Sequence, residues 1–124
     1  MLDDTIIVLT ADHGESLTEH DYLFDHGDFL YDASLQVPLI VRYPAHAQAG
    51  LRVPCQVSNL DVTPTLISLL ALSDEHRRYG QDLSPVLAGG DCDSGAVIAT
   101  TVGGRFMEEP PIDHAVRALS LIHI

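Results

Sequence analysis

The sequence contains no lysine: six arginines face eighteen aspartates and glutamates, for a formal net charge of −12 over 124 residues. Such a chain repels a phosphate backbone, so no nucleic-acid partner is expected. Anionic membrane surfaces are disfavoured for the same reason. No apolar run approaches the roughly 20 residues of a membrane span, so no membrane segment is expected. The first residues, Met1-Leu2-Asp3-Asp4, are acidic where a signal peptide carries positive charge. Cysteine is scarce. Cys55 and Cys92 form no C-x-x-C pair and no disulfide-framework spacing, and they read as small buried or surface residues that leave the redox compartment open. Repeats and low-complexity tracts are absent, which excludes solenoids and tails.

What remains is a globular profile, with 46% hydrophobic and 19% charged residues. The length suits one modest domain that can bury roughly two-thirds of its unfolded surface without disulfides. The acids are unevenly spread. Asp12, Glu15, Glu19, Asp21, Asp25, Asp28 and Asp32 crowd into one stretch with His13, His20 and His26, and no basic residue lies among them. Crowded carboxylates of this kind can hold a cation.

The run Thr5-Ile6-Ile7-Val8-Leu9-Thr10 is β-branched and apolar on both faces, which predicts a central strand covered on both sides, as in a parallel α/β sheet. Residues 15–24 read as loop, with Ser16-x-x-Glu19 a weak capping box. Residues 28–35 suit a short helix. Residues 37–43 read as a second buried strand, with Pro38 at its start or edge because it has no N–H to donate. Residues 53–57 suit a short strand. The clearest helix is Asp61-Val62-Thr63-Pro64 followed by Thr65 to Leu72, with Asp61 or Thr63 able to cap it and Pro64 suited to its first turn. A short turn-bound element follows at 82–87, and 96–102 is a third strand. Alternation of strand, connection and helix argues α/β, but three strands and one good helix look like part of something larger.

Ligands gather beyond the carboxyl ends of strands in open sheets, and there Asp12-His13-Gly14 follows the first strand. A carboxylate beside an imidazole can bind one divalent ion, or serve as a base and its orienter. A lone D-H-G tripeptide is more often just a capped turn. The wider order, T-I-I-V-L-T-A-D-H-G-E, then E-H-D, D-H-G and L-Y-D-A-S-L-Q-V-P-L-I-V-R-Y-P, resembles the sulfatases of the alkaline-phosphatase superfamily. Leu60-Asp61-Val62-Thr63-Pro64-Thr65-Leu66 is similar to that family's D-x-x-P-T-L helix start, and Gly80 to Leu87 to its G-x-S-L-x-P-x-L element. The resemblance runs over roughly residues 4–117.

It implies a partial alkaline-phosphatase-like α/β fold, a mixed or parallel sheet with flanking helices. It also implies that Asp12 and His13 are metal ligands, with calcium first and magnesium, manganese or zinc as alternatives. His26, in Asp25-His26-Gly27, falls where the family places a basic residue against the sulfate and the leaving oxygen; the alternative is a surface loop histidine. His20 aligns with a motif histidine of no firm role. Arg42 reads as a strand-end residue paired with a nearby acid. Gln36 stands where many sulfatases have arginine. His46, His76 and His114 read as solvated.

The family's nucleophile is a formylglycine made from Cys or Ser within C/S-x-P-x-R. Cys55 is followed by Gln56-Val57-Ser58-Asn59 and Cys92 by Asp93-Ser94-Gly95-Ala96, so neither matches. The resemblance therefore implies residues 1–117 as the C-terminal part of a sulfatase catalytic domain, a fragment without the N-terminal nucleophile region and inactive alone. Residues 118–124 form an atypical tail without assigned function. The expected substrate is a small-molecule or glycan sulfate ester. Two other readings stand beside it: a phosphoethanolamine transferase or phosphodiesterase of the same superfamily, and a non-catalytic acidic cation-binding module.

Overall fold

The computed structural model describes residues 2–21, 23–24, 26, 28–44, 48–76, 79–101 and 113–117, the backbone alone at 101 and 113–117. Asp25, His46 and the tail 118–124 lie outside the described residues. In chain order the elements are β1 (Ile7–Leu9), α1 (Asp32–Leu35), β2 (Ile40–Arg42), α2 (Val62–Leu69), α3 (Ser84–Leu87), β3 (Val97–Thr101) and β4 (Asp113–Arg117). Short 3-10 turns at Leu2–Asp4, Glu19–Asp21 and Asn59–Asp61 punctuate them.

The α/β class holds, and of the mixed or parallel sheet expected the described strands supply antiparallel pairs. β1 runs antiparallel to β2, with Ile7 opposite Arg42, Val8 opposite Val41 and Leu9 opposite Ile40. β3 and β4 form a second antiparallel pair, from Val97 opposite Arg117 to Thr101 opposite Asp113. Pro38 lies just before β2, where its missing N–H costs no ladder bond. Nor is the first strand covered on both sides. Val8 and Val41 face an apolar hollow that Leu39, Val53, Leu66 and Leu87 also line. On the opposite face Ile7, Leu9 and Ile40 remain 41%, 52% and 45% exposed. The two-sided apolar pattern reports that both faces avoid water, whereas the described residues cover only one of them.

Residues 53–57 form no strand, yet Val53, Cys55 and Gln56 are buried. A covalent link that the spacing concealed lies in this segment. Cys55 and Cys92 are joined in a disulfide with Cα atoms 5.9 Å apart, which corrects the reading of two solitary cysteines. It fixes the segment after Val53 to the approach to β3.

α2 begins at Val62, within the start expected at Asp61-Val62-Thr63-Pro64, and Pro64 sits in its first turn. Asp61 precedes it but does not cap α2 with its side chain. Its buried carboxylate instead accepts from the Ser58 N–H and the Gln81 N–H, each at 2.7 Å. The Ser58 hydroxyl accepts from the Leu60 N–H, completing a capping box around the turn that leads into α2. One turn on, the Thr65 hydroxyl donates to the Asp61 carbonyl at 2.6 Å and accepts from the Leu83 N–H at 2.9 Å. Asp61 and Thr65 thus fasten residues 81–83, and α3 behind them, to the start of α2. Gly80 is required here, since any Cβ would overlap the Leu60 carbonyl.

Removing both sulfurs of the cross-link should weaken this arrangement through the unfolded chain as much as through packing. The bridge spans 37 positions, for which loop closure gives a stabilisation of about 3–5 kcal/mol. The Cys55→Ser/Cys92→Ser variant should lose about that much in urea unfolding, and dithiothreitol should have the same effect on the parent chain only.

Candidate functional site

The turn that leaves β1 carries the site. Thr10 and Ala11 continue the strand direction, and Asp12-His13-Gly14 then bends toward α1. The bend is held by a close backbone approach: the Gly14 N–H donates to the Ser34 carbonyl at 2.8 Å. A Cβ on Gly14 would overlap the Ala33 carbonyl, so no larger residue fits.

Asp12 extends into solvent, its side chain 88% exposed. Its Oδ1 accepts from the His13 N–H at 3.0 Å. That bond, followed by the Asp12 N–H, the nearby His13 imidazole and, last, that of His26, holds the carboxyl below its ordinary pKa against the opposing effect of desolvation. The His13 ring places Nδ1 2.9 Å from the Gly14 carbonyl. A carbonyl only accepts, so in the neutral ring Nδ1 carries the proton and Nε2 the lone pair. That Nε2 lies 3.6 Å from Asp12 Oδ2. Two donors about 2.0–2.5 Å from one ion commonly stand that far apart. The donor set thus fits a divalent cation, with a hard oxygen and a borderline nitrogen side by side.

His26 is brought to the same place from thirteen residues along the chain. Its ring stacks on that of His13, centroids 3.7 Å apart and planes 19° from parallel. Its Nδ1 lies 3.1 Å from Glu15 Oε2, so the carboxylate accepts from the ring and fixes its rotation. All three residues singled out in the sequence therefore meet. Glu15 is the addition. Sequence reasoning counted it only among the crowded acids, although its place directly after Asp12-His13-Gly14 marks it. One ligand atom each from His13, Glu15 and His26 lies within 4.8 Å of the others, a second donor set that overlaps the Asp12–His13 pair.

His20 does not join them through its described ring contact. Its ring stacks on Tyr31 at 3.9 Å, with Phe29 tilted against the far partner at 5.6 Å. The loop that separates His20 from the site is held by Glu19, whose Oε2 accepts from the Leu17 and Thr18 N–H groups at 2.8 and 3.1 Å. These bonds, that of Thr18 foremost, lower the Glu19 pKa. Left-handed backbone at His20, Asp21 and Phe24 turns the chain back toward His13. Arg42 lies away from the site. Its guanidinium donates to the Leu2 and Thr5 carbonyls and stands 3.9 Å from Asp3, as a strand-end residue near an acid.

The sulfatase family model matches residues 1–72, and the chain belongs to the sulfatase family. It is 38% identical over 86 residues to an N-acetylglucosamine-6-O-sulfatase of Bacteroides thetaiotaomicron, a match that covers 69% of this chain and 15% of that protein. A choline-sulfatase of Rhizobium meliloti is 40% identical over 92 residues, covering 72% of this chain and 17% of its own length. Arylsulfatase K of Mus musculus is 33% identical over 88 residues, covering 71% and 15%. A solved structure of a protein in complex with its substrate, D-glucosamine-2-N,6-O-disulfate, superposes with a TM-score of 0.73 at 30% identity, over 94% of this chain and 24% of that one. The fold is thus the alkaline-phosphatase-like fold of the sulfatases, of which this chain spans a minor part. These relatives favour neither phosphoryl transfer nor a non-catalytic module.

Two outcomes check the local architecture. Gly14→Ala must displace the Ala33 backbone, and should cost about 1–3 kcal/mol or more in urea unfolding. Glu19 has a lowered pKa in the folded chain, so its contribution is complete above the unfolded value of about 4.3. It is lost as pH falls through the lower folded value. Amide exchange at Leu17 and Thr18 should therefore quicken below that range, and Glu19→Gln should blunt the effect.

Proposed function

We propose that this chain contributes part of the active site of a sulfuric ester hydrolase acting on a sulfated sugar. In this reading residues 1–117 belong to the catalytic domain and residues 118–124 have no part in it. The observation that carries it is the meeting of Asp12, His13 and His26 at the end of β1, in a chain of the sulfatase family. The glucosamine sulfatase relative and the glucosamine disulfate held by the structural neighbour support a sulfated saccharide over other sulfate esters.

Asp12 and His13 would hold the divalent cation that the family uses. Calcium is the first choice because a carboxylate is a hard donor; the imidazole leaves room for magnesium, manganese or zinc. When bound, that cation and the family's formylglycine hydrate supply positive charge at the sulfate oxygens and a nucleophilic oxygen. Neither Cys55 nor Cys92 is the source of that nucleophile, since both sulfurs are spent on the disulfide. His26 is the acid–base group. Glu15 holds its Nδ1 edge, so Nε2 is the atom that donates a proton to the departing alcohol oxygen. The His13 ring beneath it keeps the imidazole from rotating away. Acidic residues around the site would repel an anionic substrate unless a cation intervened, which gives the metal a second duty at this charge.

The test is sulfate release from glucosamine 6-sulfate by a polypeptide carrying this segment downstream of a C/S-x-P-x-R box. His26→Ala should lower kcat by about 10²–10⁴-fold with KM little changed. Asp12→Ala should raise the calcium concentration needed for half-maximal rate. Turnover of glucosamine 6-phosphate with no turnover of the sulfate would overturn the reading.

A further inference from the structure

The Asp12-His13 pair is only two residues long, and its local bonds, the His13 N–H to Asp12 Oδ1 and the His13 ring to the Gly14 carbonyl, tie it to itself and not to the rest of the fold. Glycine follows it and both side chains reach into solvent, 88% exposed for Asp12 and 43% for His13. On the downstream side the Gly14 N–H bond to Ser34 anchors the turn. On the upstream side the anchor comes from far along the chain. The Asn59 amide lies across the end of β1, where Nδ2 donates to the Ala11 carbonyl at 2.8 Å and Oδ1 accepts from the Thr10 hydroxyl at 2.9 Å. The Ala11 carbonyl can only accept, which fixes which way the amide faces.

We propose that Asn59 is a positioning residue for the metal-bearing turn: its two-ended amide clamps residues 10 and 11, so that Asp12 and His13 span a fixed gap between that clamp and Gly14. This rests on the metal reading above, and it adds a residue that touches neither cation nor substrate. Asn59 is suited to the task by its own setting. It opens the 3-10 turn Asn59–Asp61, which the Ser58–Asp61 capping box closes. Asp61 is in turn fastened to Gln81. The amide is thus mounted on the rigid entrance to α2, and it transmits that rigidity across 48 positions of sequence to the strand end. Partners that hydrogen-bond metal ligands directly change metal affinity by about 10–100-fold when removed; Asn59 holds the residues next to the ligands, so the lower end of that range is expected. Thr10 and Asn59 should act as one unit, because each completes the other's hydrogen bond.

The test uses the whole chain and two readouts. The first is amide exchange at His13 and Gly14 without metal. The second is the dissociation constant for Mn²⁺, read from paramagnetic broadening of the Asp12 and His13 amides. Asn59→Ala should quicken exchange at both amides and weaken Mn²⁺ binding about tenfold or more, with α2 amides as protected as before. Thr10→Val should give a smaller effect of the same kind, and no further effect in the Asn59→Ala background. Exchange and Mn²⁺ affinity within twofold of the parent in Asn59→Ala would overturn the proposal. Should Asn59→Ala also unprotect α2, Thr10→Val decides: unchanged exchange at His13 and Gly14 there overturns it equally. A parent chain that shows no broadening at residues 12 and 13 sinks the metal reading instead, and the exchange data still judge the clamp.

Discussion

The approach of Gly14 to the Ala33–Ser34 backbone is the constraint on which the site depends. It brings the turn after β1 against α1 with no room for a side chain, and a main-chain hydrogen bond holds it there. The candidate site follows from where that leaves the neighbours. Asp12 and His13 precede the contact and point outward, and Glu15 follows it and reaches back for His26. A glycine chosen for closeness, not for a left-handed φ, is what turns a strand end into a platform.

The second layer of the account is the entrance to α2. A buried aspartate rarely survives without partners, and Asp61 has main-chain donors on both oxygens. That small knot joins three segments far apart in sequence. It organises the capping box, receives residues 81–83, and carries the Asn59 amide to the end of β1. Stability and site geometry are therefore linked at one acid that takes no part in the chemistry.

Much of this was legible in the residues. Apolar runs marked β1, β2 and β3, Pro64 marked the first turn of α2, and Asp12, His13 and His26 were marked by their order along the chain. What was not legible has physical causes. Apolarity on both faces of β1 says that water is avoided but not which strand pairs with it, so the antiparallel partner and the bare Ile7–Leu9–Ile40 face are set by tertiary contacts that the local pattern does not encode. Two cysteines 37 positions apart carry no sign of being neighbours in space. The return of His26 to Glu15 needs left-handed backbone at His20, Asp21 and Phe24, none of them a glycine, so no turn signal announces it. Asn59 sits in a motif read for its proline and aspartate, and its role depends on a contact with a distant strand end.

The central claim is that Asp12 and His13, held between two anchors, present one oxygen and one nitrogen to a single cation. The most direct measurement is an anomalous difference map from crystals of the chain soaked in Mn²⁺. The account predicts a peak beside Asp12 Oδ2 and His13 Nε2, with His26 still turned to Glu15. A peak held instead by Glu15 and His26, or no peak at this turn, would contradict it.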